Sequence, residues 1–304
     1  MKILLLGRNG QLGWELQRSL APLGEVIALA SRAQDNPNHW CGDLTDLEGL
    51  RQTVRAVAPD LVVNAAAYTA VDKAQTETDK AYAVNALAPA LLAEETLRLG
   101  AWLAHFSTDY VFDGSGDRPW CESDTCAPLS VYGASKRQGE LEIARNPKHL
   151  ILRTSWVYAA RGSNFAKTML RLGAERDELR VIDDQIGAPT GAELLADVST
   201  LVFCQAMAQP ALAGLYHCAA AGQTSWHGYA QFVLQEARSL GMQVKVAPGR
   251  VIPITSAQYP VAAPRPLNSR LDCSRLQNIF SIQLPFWQFG VRRILQEIAE
   301  MRQL

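Results

Sequence analysis

The sequence predicts an α/β fold in which a doubly wound parallel sheet is joined to a smaller C-terminal lobe. Through the first half of the 304 residues, short apolar runs alternate with segments of helical periodicity, a pattern typical of parallel strands joined by helical crossovers. After about residue 160 the alternation loosens and irregular, proline-containing segments appear. We therefore expect two interleaved parts without a clean linker: residues 1–155, completed by a returning segment near 191–220, and residues 156–304.

The apolar pattern predicts the elements in chain order. Predicted strands are KILLLG, VIALA, DLVVNAA, AWLAHFST, HLILRTSWVY and GLYHCA, the last of which we expect to return to the sheet. Predicted helices are QLGWELQRSLAPLG, TDLEGLRQTVRAVAP, KAYAVNALAPALLAEETLRLG, the segment around VYGASKRQGE, APTGAELLADVSTLVFCQAMAQ and PFWQFGVRRILQEIAEM. The second helix is predicted to begin at a Thr45 cap and to stop before Pro59, and the third contains Pro89.

Composition and charge argue against several classes of protein. Hydrophobic residues make up 48% and charged residues 19% of the chain, the balance of a globular protein with a substantial core. The net charge of −1 gives no general attraction to nucleic acid or anionic membrane. No apolar run reaches the roughly 18 residues of a membrane span, and the run in MKILLLG is too short for a signal peptide. The six cysteines form no CxxC pair, so we expect free thiols and a cytoplasmic protein. The five histidines lack the spacing of metal ligands.

Three glycines between the first strand and the first helix, Gly7, Gly10 and Gly13, form a GxxGxxG motif. Glycine permits a tight turn and a close approach of the backbone to a pyrophosphate, and the helix N-terminus offers unpaired N–H donors. The alternative is that these glycines serve only turns and packing. Their position at the first strand–helix junction favours a dinucleotide site, to which we also assign Gln11 and Leu12.

The end of the second strand bears on which dinucleotide binds. Many folds of this kind have an acidic residue there to hold the adenosine ribose, whereas this chain has Ser31 and Arg32. Arg suits a 2′-phosphate, so we expect NADPH, with NADH as the alternative cofactor and a plain surface arginine as the alternative interpretation. Further predicted cofactor contacts are Asp43 and Leu44 at the adenine and the small residues Ala65, Ala66 and Ala67 along the cofactor.

Polar residues at the end of the fourth strand, 107–110, lie where ligands meet a parallel sheet. Tyr132 and Lys136 stand four residues apart on the following helix and therefore share a face. A nearby ammonium favours the phenolate and lowers the normally high pKa of tyrosine, which makes the phenol a usable general acid–base. Thr108 would orient the substrate oxygen. The alternative for Tyr132 and Lys136 is an ordinary solvated helix face.

Seven segments carry a resemblance to a known family: LLLGRNGQLGWEL, VVNAAAYTAVDKAQ, STDYVFDG, YGASKRQGE, RTSWVY, DDQIGAPT and RPLNSRLD. The chain resembles the extended short-chain dehydrogenases/reductases and, within them, the reductases of dTDP-4-keto-6-deoxy sugars. The resemblance implies a Rossmann-type NAD(P)-binding domain at 1–155 and a sugar-nucleotide-binding lobe at 156–304. It also implies NAD(P)H-dependent reduction of the 4-keto group of dTDP-4-dehydro-L-rhamnose to dTDP-L-rhamnose, a step that serves lipopolysaccharide O-antigen biosynthesis.

The resemblance further implies roles for individual residues. The catalytic set falls on Thr108, Tyr132 and Lys136. Substrate contacts fall on Val71, Thr108, Asp109, Tyr110, Trp156, Arg265 and Asn268. Some family members form a homodimer linked by Mg²⁺ through glutamates, and the candidates here are Glu15, Glu193 and Glu297, with ordinary solvated glutamates as the alternative. Ser31 departs from the family, in which that position or its neighbour is often acidic.

Three other functions stay open on the sequence alone. Related dehydratases carry Thr-Asp-Glu where this chain has Thr108-Asp109-Tyr110, so proton abstraction beside the ketone lacks its base and dehydration is disfavoured. An epimerase also uses Tyr and Lys, and the sequence does not exclude one. A non-catalytic subunit, such as the regulatory subunit of methionine adenosyltransferase, resembles the same family, although the complete Thr, Tyr and Lys set argues against it.

Overall fold

Parallel strands form the central sheet of the computed structural model, which describes residues 1–301. The strands of the chain are β1 (Lys2–Leu6), β2 (Glu25–Leu29), β3 (Leu61–Asn64), β4 (Trp102–Thr108), β5 (His149–Thr154), β6 (Val157–Tyr158), β7 (Leu179–Ile182), β8 (Ile186–Gly187), β9 (Thr190–Gly191), β10 (Gly214–His217), β11 (Thr224–Ser225) and β12 (Val251–Ile254). The central sheet has the order β10-β5-β4-β3-β1-β2, and every neighbouring pair in it is parallel. The strand order changes direction at β1 and β3, where a doubly wound sheet opens a crevice for ligands.

Helices cover both faces of this sheet. They are α1 (Gln11–Leu20), α2 (Leu47–Val57), α3 (Val71–Ala74), α4 (Thr78–Tyr82), α5 (Ala88–Leu99), α6 (Val131–Ile143), α7 (Phe165–Glu175), α8 (Ala192–Ala208), α9 (Trp226–Ser239), α10 (Ser274–Phe280) and α11 (Trp287–Met301). One core cluster joins the sheet to α1 and α8 through residues such as Leu16 and Phe203. Another joins its opposite face to α2 and α5 through residues such as Val54 and Leu92. The prediction of a doubly wound parallel sheet is therefore confirmed.

A third hydrophobic cluster holds the C-terminal elements together. It brings α7, α9 and α11 into contact through buried residues such as Met169, Val233 and Ile294. The short strand pairs β7–β12, β6–β9 and β8–β11 flank this cluster and lie outside the central sheet. The chain also returns to the central sheet, because β10 pairs with β5 in parallel register. Within residues 1–301, no helix combines the length and the apolar character needed to cross a membrane.

The long helix predicted around Pro89 is interrupted. A π-helical turn, Ala83–Leu87, separates α4 from α5, and Pro89 lies in the first turn of α5. Proline lacks an N–H donor and is best tolerated in a first helical turn. The wider turn directs Asn85 into the interior, where its amide hydrogen-bonds the backbone of Tyr68 and the hydroxyl of Ser135. The interruption therefore ties the segment after β3 to α6.

Two other local predictions need correction. The cap of α2 is Asp46, whose Oδ1 accepts a hydrogen bond from the backbone of Gly49 at 2.9 Å, and not Thr45. The Thr45 hydroxyl instead donates to Asp43 Oδ1. The segment HLILRTSWVY is not one strand, because β5 ends at Thr154 and β6 begins at Val157. Between them Trp156 adopts a left-handed φ of 50°, which turns the chain away from the central sheet.

The loop after β1 is packed so closely that two of its glycines are required for steric reasons. Gly7 has φ +89°, and a Cβ there would lie 2.8 Å from the backbone nitrogen of Ala66. A Cβ at Gly13 would overlap the carbonyl oxygen of Gly7. The first turn of α1 therefore rests directly on the loop that ends β1, and this contact brings the N-terminus of α1 to the crevice.

Gly13→Ala is expected to destabilise the protein, since the backbone of the loop must move to admit the methyl group. Overpacking of this kind costs about 1–3 kcal/mol, against a gain of up to about 1 kcal/mol in helix propensity. Gly249→Ala is the control, because nothing lies within 4 Å of its added Cβ. Urea unfolding measures both. A Gly13→Ala protein as stable as the wild type would show that the loop and α1 are not in tight contact.

Candidate active site

A cavity of about 540 Å³ opens at the carboxyl ends of β1, β3 and β4, beneath α6. Its volume lies in the range typical of ligand sites. It is lined by most of the predicted cofactor residues: Gly7, Gly10, Gln11, Leu12, Ser31, Asp43, Leu44, Ala65, Ala66, Ala67, Tyr132 and Lys136. Gly13 and Arg32 do not line it, since Gly13 packs behind the loop and Arg32 is exposed.

The N-terminus of α1 faces this cavity. The first backbone hydrogen bond of the helix runs from the N–H of Trp14 to the carbonyl oxygen of Gly10, so the preceding N–H groups of the turn have no partner within the helix. Such donors, together with the helix dipole, favour a negatively charged group. Because Gly7 and Gly10 line the cavity without side chains, the backbone of the loop can come close to a pyrophosphate. The residues present therefore fit a dinucleotide.

An arginine that the sequence prediction missed lies beside the end of β2. Arg8 donates hydrogen bonds to the carbonyl oxygens of Ala28 and Asp35, the latter at 2.6 Å. Its position between Gly7 and Gly10 of the GxxGxxG motif could have indicated from the sequence that it lies at the cofactor site. Arg32 is exposed beside Ser31, and within residues 1–301 its guanidinium forms no hydrogen bond or ion pair.

Tyr132 and Lys136 lie on α6, which is capped by the Ser130 hydroxyl. Burial raises the pKa of Tyr132 to about 12, and the hydrogen bond with Thr108 opposes this shift only in part. The ring of Tyr110 meets the ring of Tyr132 edge-on at 5.4 Å. Tyr132 is therefore a neutral phenol near Thr108, and its hydroxyl has a proton to donate.

The predicted effect of Lys136 on Tyr132 is wrong for this structure. Lys136 is 2% exposed, and its Nζ donates to the carbonyl oxygen of Phe106 at 2.6 Å and lies 2.8 Å from Nε2 of His105. Burial lowers the pKa of Lys136 to about 7. The lysine thus points at β4 and does not lower the pKa of Tyr132, whose shift is upward.

Asp109 is a second buried acid close to the phenol. Burial raises its pKa to about 6, although the hydrogen bond that Oδ1 accepts from the Thr108 hydroxyl acts in the opposite direction. Its Oδ2 is buried and has no partner within residues 1–301. An unpartnered carboxylate oxygen next to Thr108 and Tyr132 is available to a polar group of a ligand.

Asp109→Asn is expected to stabilise the protein increasingly as pH rises. Because the folded-state pKa is raised, Asp109 supports folding below its ordinary pKa of 3.8 and loses this contribution as pH rises through about 6. Between pH 5 and pH 8 the stability difference between variant and wild type should grow by about 1.4 kcal/mol, the equivalent of one pKa unit. Urea unfolding at both values measures it. Asp117→Asn, at an exposed position, is the control; a difference for Asp109→Asn that does not change with pH would contradict the raised pKa.

The residues predicted to bind substrate lie at the border of the C-terminal lobe. Arg265 pairs with Asp72 at 2.7 Å, one residue after Val71 at the start of α3. Arg265 also lines a second cavity of about 370 Å³, together with Gln185 and Trp226. The ring of Trp156 stacks on Trp226 with ring centroids 3.6 Å apart. These predicted substrate contacts stay predictions.

Asn268 has a different role from the predicted one. It is 2% exposed, and its amide donates to the carbonyl oxygens of Ser115 and Arg118 and accepts from the backbone and side chain of Arg270. All of its hydrogen-bonding capacity is used within the protein. It fastens the segment after β4 to the segment after β12, and we do not retain it as a substrate ligand.

The three glutamates proposed for Mg²⁺ are neighbours but do not form a metal site in one chain. The charges of Glu193 and Glu297 contribute, after burial, to raising the pKa of Glu15. Glu15 and Glu193 also lie near arginines, Arg18 at 3.6 Å and Arg293 at 3.4 Å. Within residues 1–301, no group of three or more His, Cys, Asp or Glu side chains is arranged to hold a metal ion.

The fold and the site define a dinucleotide-dependent oxidoreductase of the extended short-chain dehydrogenase/reductase class, with a Thr, Tyr and Lys set beside a glycine-lined cofactor cavity. The chain belongs to the family described as the RmlD substrate binding domain, whose model matches residues 1–300. It is similar to the dTDP-4-dehydrorhamnose reductase of Escherichia coli, with 51% identity over 299 residues that cover 98% of each chain.

Solved structures show similarity to the same group of enzymes. A dTDP-4-dehydrorhamnose reductase of Clostridium acetobutylicum superposes with a TM-score of 0.85 at 35% identity and covers 100% of both chains. The dTDP-4-dehydrorhamnose reductase of Bacillus anthracis, solved in complex with NADP, has a TM-score of 0.85 at 34% identity and covers 97% of this chain and 99% of that one. These similarities favour a reductase over the dehydratase, epimerase and regulatory-subunit alternatives.

Proposed function

We propose that this protein catalyses the NAD(P)H-dependent reduction of the 4-keto group of dTDP-4-dehydro-L-rhamnose to dTDP-L-rhamnose, the last step of dTDP-rhamnose biosynthesis. The observation that carries the proposal is the neutral phenol of Tyr132, which lines a dinucleotide-sized cavity at the end of β4 together with Lys136. The names of the similar proteins supply the sugar nucleotide.

The chemistry divides between the cofactor and the side chains. When bound, the reduced nicotinamide supplies the hydride that reduces the ketone carbon. Thr108 and Tyr132 hold the ketone oxygen, and the phenol of Tyr132 donates its proton to that oxygen as negative charge develops there. Because the phenol is protonated in the free protein, no prior ionisation is needed for the reductive direction.

We assign the cofactor and the sugar nucleotide to different parts of the chain. The cofactor cavity is lined by residues of 1–155 together with Val157, which supports a cofactor-binding part at 1–155. The pairing of β10 with β5 supports its completion near 191–220. The second cavity is lined by residues between Phe165 and Arg265, which supports a sugar-nucleotide lobe at 156–304. Val71, Asp109, Tyr110, Trp156 and Arg265 stay our candidates for substrate contacts.

The proposal includes a homodimer in which Glu15, Glu193 and Glu297 of two chains share Mg²⁺. The proximity of these carboxylates within one chain supports it. Sedimentation with and without a chelator tests the dimer and its metal together.

The proposal also includes a cytoplasmic location, which the six free cysteines support. Use of the product in O-antigen synthesis rests on the resemblance alone.

The direct assay follows NADPH oxidation in the presence of the sugar nucleotide. Oxidation is expected with dTDP-4-dehydro-L-rhamnose and is expected to be much weaker with UDP and GDP analogues of the same sugar. Absence of oxidation with every 4-keto sugar nucleotide would remove the proposed reaction and leave only a binding function.

Tyr132→Phe is expected to lower kcat by about 10²–10⁴-fold, the usual contribution of general acid catalysis. The dissociation constant of NADPH should stay within a few-fold of the wild-type value, because the variant removes only a hydroxyl. Tyr82→Phe, at a half-buried position on α4, is the control and should leave kcat unchanged. An unchanged kcat for Tyr132→Phe would exclude the phenol as the proton donor.

The wild type is expected to prefer NADPH over NADH by about tenfold in kcat/KM. A charge-assisted hydrogen bond from Arg32 to the 2′-phosphate is worth about 1.5–3 kcal/mol, and exposure to solvent and salt favours the lower value. Arg32→Ala should therefore remove most of the preference, and Ser31→Asp should turn it toward NADH.

Arg8→Ala is the matched control for the arginine, since the Arg8 guanidinium is already bonded to two carbonyl oxygens. It should leave the NADPH/NADH ratio largely intact. Equal kcat/KM values for the two cofactors in the wild type would mean that Arg32 does not reach the phosphate. Loss of the preference in Arg8→Ala alone would transfer the role to Arg8.

A further inference from the structure

The loop that joins β6 to α7, residues 159–164, lies against the first turn of α1. The guanidinium of Arg161 stacks on the ring of Trp14, 3.8 Å from the ring centroid. Gly162 has a left-handed φ of 78°, and a Cβ there would lie 3.1 Å from Cγ of Gln11. Gln11 itself lines the cofactor cavity. A loop from the C-terminal part of the chain therefore contacts the turn at which that cavity begins.

Asn164, the last residue of this loop, uses both ends of its amide. Its Oδ1 accepts a hydrogen bond from the backbone N–H of Lys167 at 3.1 Å and so caps α7. Its Nδ2 donates to the carbonyl oxygen of Ala159 at 2.6 Å and to Oε1 of Gln11 at 2.9 Å. The two backbone partners decide which end of the Asn164 amide is which, because a backbone N–H only donates and a carbonyl oxygen only accepts.

The orientation of the Gln11 amide follows from that of Asn164. The atom that Gln11 presents to Nδ2 of Asn164 must be an acceptor, which is Oε1 and not Nε2. The NH₂ group of Gln11 is then the end of the amide that is turned away from Asn164. Because Gln11 lines the cofactor cavity and Asn164 does not, this arrangement offers a ligand in the cavity a donor and not an acceptor.

A donor at this position suits a phosphate group. Gln11 is the first residue of α1, and the unpaired backbone N–H groups of the same turn already favour a negatively charged ligand. An amide NH₂ group adds one more donor with a defined direction. The opposite orientation would place a carbonyl oxygen beside the phosphate oxygens and repel them. The orientation of the Gln11 amide therefore bears directly on the affinity for a dinucleotide.

The same asparagine also fixes the start of α7. Phe165 and Met169 of this helix line the second cavity, which we assign to the sugar nucleotide. Lys167 returns to the loop, since its Nζ donates to the carbonyl oxygen of Ala160 at 2.9 Å. The side chain of Asn164 thus connects the turn that receives the cofactor with a helix of the second cavity.

We propose that Asn164 is a positioning residue that orients the Gln11 amide so that its NH₂ group donates to the pyrophosphate of the bound nicotinamide cofactor. The inference rests on the cofactor part of the proposed function. It makes a residue of the C-terminal lobe responsible for part of the cofactor affinity, although that residue does not itself reach the cofactor.

The affinity for NADPH is measured by fluorescence titration of the free protein. Gln11→Met keeps the length of the side chain and removes the amide, so it should raise the dissociation constant by about tenfold, the lower end for a hydrogen bond to a charged group. Asn164→Ser keeps a hydroxyl to cap α7 and removes the donor to Gln11, so it should raise the constant by about three- to tenfold. Gln231→Met and Asn278→Ser, at exposed positions of α9 and α10, are the matched controls and should leave it unchanged.

The double variant separates a positioning role of Asn164 from a purely structural one. If Asn164 acts through Gln11, Asn164→Ser should have almost no effect on the dissociation constant of NADPH in the Gln11→Met background. A loss of equal size in both backgrounds would show that Asn164 serves only the loop and α7, and it would overturn the proposal.

A ligand without a pyrophosphate tests which part of the cofactor is contacted. 2′-AMP carries the adenosine and the 2′-phosphate of NADPH, and its dissociation constant is measured by competition with NADPH. The expected values for the wild type and Gln11→Met are equal. A loss for 2′-AMP as large as the loss for NADPH would overturn the assignment to the pyrophosphate.

A crystal structure of the wild type with NADP⁺ tests the contact without any variant. Nε2 of Gln11 is expected about 2.7–3.2 Å from a pyrophosphate oxygen, with Oε1 still bonded to Asn164. A distance above about 4 Å from Nε2 to every phosphate oxygen would overturn the proposal. A wild type that binds NADPH but reduces no 4-keto sugar nucleotide would overturn the proposed function alone, because the titrations and the crystal structure would still decide the inference.

Discussion

The hydrogen bond from Nζ of Lys136 to the carbonyl oxygen of Phe106 joins α6 to the middle of the central sheet. The lysine is almost completely buried, so this bond and the contact with His105 compensate for lost hydration. The two contacts hold the helix that carries Tyr132 against β4, the strand that ends at Thr108. They act together with the Asn85–Ser135 hydrogen bond and the Arg153–Glu140 ion pair, which fasten α6 from other sides.

A second constraint lies at the other end of the cavity. Because Gly13 rests on the carbonyl of Gly7, α1 begins close to the ends of β1 and β3 and directs its unpaired N–H groups into the crevice. The π-helical turn at Ala83–Leu87 serves a similar purpose from the opposite side, since Asn85 fastens the segment after β3 to α6. The packing of the helices thus determines how far apart the walls of the cavity lie, and the polar side chains of the site project from those walls.

The sequence predicted those features that depend on periodicity and on local spacing. The alternation of apolar runs and helical segments was sufficient for the parallel sheet, and the positions of Gly7, Tyr132 and Lys136 were sufficient to bring them to one cavity. It did not predict features that depend on the direction of a side chain. Lys136 was expected to act on Tyr132, but its rotamer turns Nζ toward β4. Asn268 was expected at the substrate, but its amide is consumed by backbone groups that are distant in sequence. The contact between His105 and Asn64 also required the register of two neighbouring strands, which no motif encodes.

The most direct test of the account follows the hydride itself. The protein is incubated with dTDP-4-dehydro-L-rhamnose and NADPH that carries deuterium at the transferable position of the nicotinamide, and the sugar product is analysed by NMR. The account predicts one deuterium per molecule of dTDP-L-rhamnose, located at C4, together with stoichiometric formation of NADP⁺. Product without deuterium at C4, or turnover of the sugar without net oxidation of NADPH, would contradict it.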